Sequence, residues 1–159
     1  MLTLAQMFFR LVIALVLGAL LGIERELVGK EAGVRTEMLV AGGAAIFTMI
    51  GLVLPYISAM SSGATPDMLS QNSAFNVIAN IVIGIGFLGA GLIIKTGDRS
   101  RGITTAALVW TTAAIGVLVG IGMIPFAVIA ALLITALLYF LRKLNIAERI
   151  EESSQGNAR

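Results

Sequence analysis

The sequence predicts an all-α fold: a polytopic membrane bundle of about five transmembrane helices. Of its 159 residues, 58% are hydrophobic and only 13% are charged, and the mean hydropathy is +0.98. Soluble domains carry roughly 25% charged residues, so lipid is the solvent that suits this chain. Five segments reach the roughly 20 apolar residues that a helix needs to cross a hydrocarbon core of about 30 Å. The helices are predicted at about 4–23, 38–57, 76–94, 103–122 and 124–141.

The first segment and the last two each allow a second interpretation. Arg10 and the apolar run after it resemble a signal peptide, but no small-residue cleavage site follows, which favours a retained helix. The fourth and fifth segments are separated only by Gly122–Pro125, so one long broken helix is an alternative. Because a helix over 103–141 would be about 58 Å long, two crossings are predicted.

The basic residues lie almost entirely on one side of the predicted helices. Ten of the eleven Lys and Arg residues fall in the 24–37 loop, the 95–102 loop and the C-terminal end, and none in the 58–75 connection. The positive-inside rule makes the basic side cytoplasmic, with the N-terminus outside and the C-terminus inside. We therefore expect a transmembrane domain over 1–142, a flexible outer loop over 58–75 and a short, disordered cytoplasmic tail over 143–159.

An internal repeat divides the first four helices into two units. Gly33–Ile46 aligns without gaps on Gly102–Ile115, with seven identities in fourteen positions, and Leu17–Ala19 matches Leu88–Ala90. The alternative is that small apolar residues coincide by chance. If the repeat is real, the protein contains two parallel helical hairpins plus a fifth helix.

Small residues in these helices are typical of close helix packing. The segment from Gly84 to Gly89 has the GxGxxG spacing of a dinucleotide-binding turn, but it lies inside an apolar span where that turn cannot form. Close contact between helix backbones is the better interpretation. The predicted packing glycines are Gly18, Gly22, Gly84, Gly86, Gly89, Gly91, Gly116 and Gly120.

Polar residues recur along one side of helix 3, which carries Asn76, Asn80 and Lys95, and helix 4 adds four threonines. One hypothesis is a small polar cavity between helices 3 and 4. The other is hydrogen bonding between helices, or from hydroxyls back to their own helix. The four threonines are Thr104, Thr105, Thr111 and Thr112.

The charged loops carry candidates for ion pairing. Glu24, Arg25, Arg35 and Arg101 stand at or near helix ends, and we expect Arg35 and Arg101 to bind loop carboxylates such as Glu24. The predicted spans hold no Asp or Glu, which disfavours a pump or a carrier. With no Cys and no His, and no nucleophile–base pair or metal cluster, we expect no enzymatic activity, no cofactor, no metal site and no nucleic-acid partner.

At these same positions the chain resembles the N-terminal membrane domain of the MgtC/SapB family, without that family's C-terminal soluble domain. The matching stretches are Leu17–Arg25, Ala32–Thr36, Ile83–Gly91 and Arg101–Ile115. The resemblance implies a multi-pass protein of the bacterial inner membrane, linked to magnesium homeostasis and acid stress. It also implies action through other membrane proteins, the proton-driven ATP synthase among them.

Three functions follow from these observations. The first is a regulator that binds other membrane proteins within the lipid bilayer, and the second is a transporter or channel for a divalent cation such as Mg²⁺, a proton or a small solute. The third is a purely structural subunit, and homo-oligomer formation stays open. The candidate functional or interaction residues are Glu24, Arg25, Arg35, Thr36, Asn76, Asn80, Arg101, Thr104 and Thr105.

Overall fold

The computed structural model describes residues 2–27, 29–62, 66–96 and 99–156, and most of these are helical. In chain order the elements are α1 (Leu4–Leu27), α2 (Val34–Ser62), α3 (Pro66–Leu92), the antiparallel strands β1 (Ile94–Thr96) and β2 (Arg99–Arg101), α4 (Ile103–Ile121) and α5 (Ile124–Gly156). Among the described residues, five helices are long and apolar enough to cross a membrane. The predicted all-α membrane bundle is confirmed.

The helices extend beyond their apolar spans, so several predicted connections are wrong. The outer loop predicted over 58–75 is helical over 58–62 and 66–75, while 63–65 lie outside the described residues. Proline suits the first turn of a helix because its missing N–H has no partner there, and α3 begins at Pro66. Hydropathy locates the part of a helix that lies in lipid, and it does not detect polar turns at the ends.

The C-terminal tail and the second basic loop also differ from prediction. Instead of ending near 141, α5 continues to Gly156, so the predicted disorder is wrong for 143–156, and 157–159 lie outside the described residues. Glu occurs three times between Leu144 and Gly156, beside Ala147 and Arg149, and all three residue types are good helix formers. The 95–102 loop contains most of the β1–β2 hairpin.

A tight corner separates α4 from α5. Gly122 adopts a left-handed conformation (φ 99°), its N–H donates to the Val119 carbonyl at 3.0 Å, and the Met123 N–H donates to the Leu118 carbonyl at 2.9 Å. These two bonds form a Schellman motif, which ends a helix by satisfying its last carbonyls. The prediction of two separate crossings is confirmed.

Helices α2 and α4 lie at the centre of the bundle. About half of their spanning residues are buried, against 6% in α3 and 11% in α5. The main core cluster joins small and branched side chains from α1, α2, α4 and α5, including Ala14, Ala41, Ile115 and Ala127. Many alanines let the helix axes approach closely, which is how membrane helices gain dispersion energy.

Equivalent contacts within the two hairpins support the predicted repeat. Gly18 of α1 packs against the α2 backbone at Glu37, and Gly89 of α3 packs against Ala106 of α4, where an added Cβ would lie 3.6 Å from the Ala106 Cβ. The sequence alignment pairs Gly18 with Gly89 and places Glu37 opposite Ala106. Both hairpins therefore use the same contact, and α5 stands outside the repeat.

Candidate functional site

A buried ion pair lies in the last turn of α1. Glu24 and Arg25 are only 7% and 8% exposed, and the Arg25 Nε donates a hydrogen bond to the Glu24 Oε2 at 2.5 Å. The Arg25 Nη2 lies 2.5 Å from the same oxygen. A buried charge is costly unless it is paired, so this ion pair lets two charged side chains enter the bundle together.

A third charged residue, Glu37, lies in the first turns of α2 and is completely buried. Neither of its carboxylate oxygens forms a hydrogen bond with a described residue. The Thr112 hydroxyl of α4 lies beside them, and it is also buried and without such a bond. Arg25 is close enough to act on the Glu37 carboxyl electrostatically. The cluster of Glu24, Arg25, Glu37 and Thr112, here called the buried acidic cluster, thus holds two carboxyls and one cation.

The prediction that no carboxylate lies within a span is wrong. The sequence places Glu37 in the loop before helix 2, but α2 begins at Val34 and its candidate span runs from Val34 to Met60. Gly22 causes this deep placement, because a Cβ there would lie 2.5 Å from the Val34 Cα. The absence of that Cβ lets the start of α2 pack directly against α1.

The predicted cross-loop ion pairs do not form among the described residues. Arg35 and Arg101 are both exposed, and the partner of Glu24 is its neighbour Arg25. Glu26 instead caps α2, since its Oε2 accepts a hydrogen bond from the Val34 N–H at 3.0 Å. A carboxylate at this position satisfies one of the free N–H groups of the first turn and favours the helix dipole.

Arg10 caps a helix at the opposite end of the bundle. Its Nη1 donates to the Gly120 carbonyl at 2.7 Å across the α1–α4 contact, and the side chain is half-buried. A cation at a helix C-terminus is favoured by the helix dipole. The sequence gives no sign of this link between Arg10 and α4, because Arg10 and Gly120 are 110 positions apart.

The polar residues proposed to line a cavity between helices 3 and 4 differ in their exposure. Thr105 and Thr112 are buried, but Thr104 is exposed, and the Thr111 hydroxyl donates to the Ala107 carbonyl of its own helix at 2.7 Å. This bond from a hydroxyl back to its own helix is the alternative to a polar cavity that the sequence left open. Asn76 and Asn80 are exposed on α3.

A groove with a volume of about 690 Å³ lies instead between α2 and α3. Its walls run from Arg35 to Phe47 on α2, including Thr36, and from Val77 to Leu88 on α3, including Asn80. The lining is mostly apolar. We call this feature the α2/α3 groove.

The predicted packing glycines divide into two groups. Gly18, Gly22, Gly116 and Gly120 lie against neighbouring helices so closely that an added Cβ would collide, and Gly89 makes an ordinary contact. Gly84, Gly86 and Gly91 pack against no other helix of the described chain, because no described residue lies within 4 Å of an added Cβ. Spacing alone cannot tell which face of a glycine-rich helix has a neighbour.

Five apolar helices and a charged cluster buried at one end define a polytopic membrane protein. The chain belongs to the MgtC family, whose model matches residues 11–146. No solved structure gives a significant match.

Named relatives agree with this assignment. The chain is 44% identical over 131 residues to Protein MgtC of Brucella abortus (strain 2308), an alignment that covers 82% of this chain and 49% of the relative. It is 40% identical over 152 residues to Protein MgtC of Salmonella typhimurium (strain LT2), covering 94% of this chain and 58% of that one. The chain thus spans about half the length of the curated relatives it matches.

Proposed function

We propose that this protein is a regulator in the bacterial inner membrane, with its N-terminus outside and its C-terminus cytoplasmic, that acts by binding other membrane proteins in magnesium and acid-stress homeostasis. Membership of the MgtC family supports the physiological setting. The proposed mode of action is supported by the outward face of α3.

That face carries groups that lipid cannot satisfy. Asn76 and Asn80 are exposed, and neither side chain forms a hydrogen bond with a described residue. An unpaired amide in hydrocarbon is costly. A second helix would supply partners, at about 1–2 kcal/mol for a hydrogen bond between membrane helices in model peptides.

The same face has the shape of a helix-docking surface. Gly86 and Gly91 have no neighbour within 4 Å of an added Cβ, and Phe87 is 85% exposed between them. Backbones can approach closely at exposed glycines, and an adjacent aromatic ring adds contact area. A transmembrane helix of another protein fits this combination, and the ATP synthase is the candidate that the family resemblance suggests.

Site-specific photo-crosslinking in living cells tests this proposal. A photoreactive residue at Ile83 or Phe87 of α3 should give a discrete protein adduct, whereas one at Leu133, exposed on α5, should not. Gly86→Leu should reduce the adduct and impair growth at low magnesium. Equal labelling from α3 and α5, or an adduct only of twice the chain's mass, would contradict regulation through a different protein.

A transporter is the second candidate, because the buried acidic cluster places a carboxyl inside a span. Buried intramembrane carboxylates commonly bind or relay cations and protons. Purified protein in liposomes loaded with a magnesium-sensitive or pH-sensitive dye distinguishes the two candidates. The regulator predicts no protein-dependent flux, and saturable flux that Glu37→Gln abolishes would establish transport instead.

A further inference from the structure

The α2/α3 groove exists because two glycines face it. Gly43 on α2 and Gly84 on α3 both line the groove, and nothing lies within 4 Å of a Cβ added at either position. At other α2 glycines the neighbouring helix fills this space, as at Gly51, where an added Cβ would meet the Val77 Cβ at 3.1 Å. Side chains at positions 43 and 84 would therefore fill the groove without displacing its walls.

A single cation marks one end of the groove. Arg35 lies in the first turn of α2, is exposed, and forms no ion pair with a described residue. Glu37, two residues later, is buried on the opposite side of α2 and does not line the groove. The end at Arg35 is therefore positive, and the Thr36 hydroxyl adds a donor there.

The length of the groove corresponds to one leaflet. Arg35 and Phe47 are twelve residues apart, which is about 18 Å along a helix, and half of a hydrocarbon core is about 15 Å. Beyond its charged end the lining is apolar apart from Asn80. The groove thus has the dimensions and the polarity of one lipid, with a headgroup site at Arg35 and an apolar channel for an acyl chain.

We propose that the α2/α3 groove is a binding site for an anionic glycerophospholipid. The phosphate binds the Arg35 guanidinium, whose planar donors suit phosphate oxygens, and one acyl chain lies along Gly43 and Gly84. Basic sites between membrane helices at the headgroup level are known to select anionic lipids. This inference does not rest on the proposed regulatory function, although the exposed Asn80 belongs both to the groove lining and to the surface of α3 that the regulatory proposal uses.

Native mass spectrometry of the purified full chain in detergent, titrated with dioleoylphosphatidylglycerol or dioleoylphosphatidylcholine, tests the site. One phosphatidylglycerol should be retained per chain in preference to phosphatidylcholine. Arg35→Gln should lower that preference about fivefold, while Lys30→Gln, an exposed loop residue, should leave it unchanged. Millimolar inorganic phosphate should not displace the lipid, because phosphate lacks the acyl chain.

A second experiment fills the groove with larger side chains. Gly43→Leu and Gly84→Leu should each abolish retention of the lipid, and Gly86→Leu is the matched control, since Gly86 also has free space but does not line the groove. Unchanged elution and melting temperature show that the variants fold. The proposal would be overturned if either groove variant retained as much phosphatidylglycerol as Gly86→Leu does. It would also be overturned if Arg35→Gln kept the full preference for phosphatidylglycerol over phosphatidylcholine. Gly86 belongs to the outward face of α3 that the regulatory proposal uses, and it does not line the groove. Failure of the lipid site and failure of the regulatory function are therefore distinguishable.

Discussion

Replacing Arg25 by Ala should destabilise the protein strongly. Arg25 contacts the Glu24 carboxylate at 2.5 Å through two nitrogens, and the two side chains are only about a tenth exposed. Breaking one side of such a buried pair leaves an uncompensated charge and costs about 3–5 kcal/mol. Lys30→Ala is the control, because Lys30 is an exposed basic residue of the following loop and its loss should change stability by about 0.5 kcal/mol or less.

A double-mutant cycle then tests whether Arg25 also offsets Glu37. In the Arg25→Ala background two buried carboxyls have no cation, so Glu37→Gln removes one of them and should restore part of the loss. Residues in one charged network show coupling energies of about 0.5–3 kcal/mol. We expect the double variant to be more stable than the sum of the single changes by at least about 1 kcal/mol.

The free energy of unfolding of the purified full chain in mixed micelles, followed by circular dichroism as denaturing detergent is added, provides the measurement. The reasoning is refuted if Arg25→Ala behaves like Lys30→Ala, because the ion pair would then contribute nothing. If the effects of Arg25→Ala and Glu37→Gln on the free energy of unfolding were strictly additive, Glu37 would not interact with Arg25.

Three further predictions concern packing, capping and orientation. Gly116→Ala should lower stability by about 1–3 kcal/mol, since the new Cβ would lie 2.9 Å from the Ala44 Cβ and overlap the Ala41 carbonyl; Gly86→Ala, which meets nothing, should leave the melting temperature unchanged or raise it. Arg10→Met should lose about 1.5–3 kcal/mol, the value of a hydrogen bond to a charged group, with a lower melting temperature. An impermeant thiol reagent outside intact cells should label a cysteine at Ser62 and spare one at Ser100 if the proposed orientation holds.

Hydropathy and the repeat predicted the architecture, because lipid imposes helix length and direction so strongly. Five spans, the corner after α4 and the paired hairpins all follow from apolar runs, basic loops and an offset of 69 residues. The helix ends were less predictable. Polar turns such as those from Pro66 to Ser73 stay helical through their backbone hydrogen bonds, and a hydropathy average does not detect those bonds.

The buried acidic cluster shows why the site was harder to predict. Glu37 follows a charged loop, and a hydropathy average over the sequence therefore predicts that it is exposed to water. The alignment of the repeats contained a signal, since it sets Glu37 opposite Ala106, a small residue in a buried helix. Burial depends on how closely Gly22 lets α1 approach Val34, and that is a property of three-dimensional packing.

The position of the acidic cluster bears on the choice between regulator and transporter. Because Glu37 lies within a candidate span, a lack of carboxylates in the spans is not a reason to exclude transport. The contact between α2 and α4 opposes transport, because Gly116 and Gly120 bring the two backbones together. An added Cβ at Gly120 would lie 2.7 Å from the Thr48 Cβ. The buried side chains between the cluster and the other end of this contact are alanine, valine and isoleucine, with Thr48 bonded to the Ala44 carbonyl of its own helix. A cation leaving the cluster along α2 and α4 would have to separate two helices whose backbones are in direct contact. Binding through the exposed face of α3 requires no such movement, and for that reason we favour the regulator.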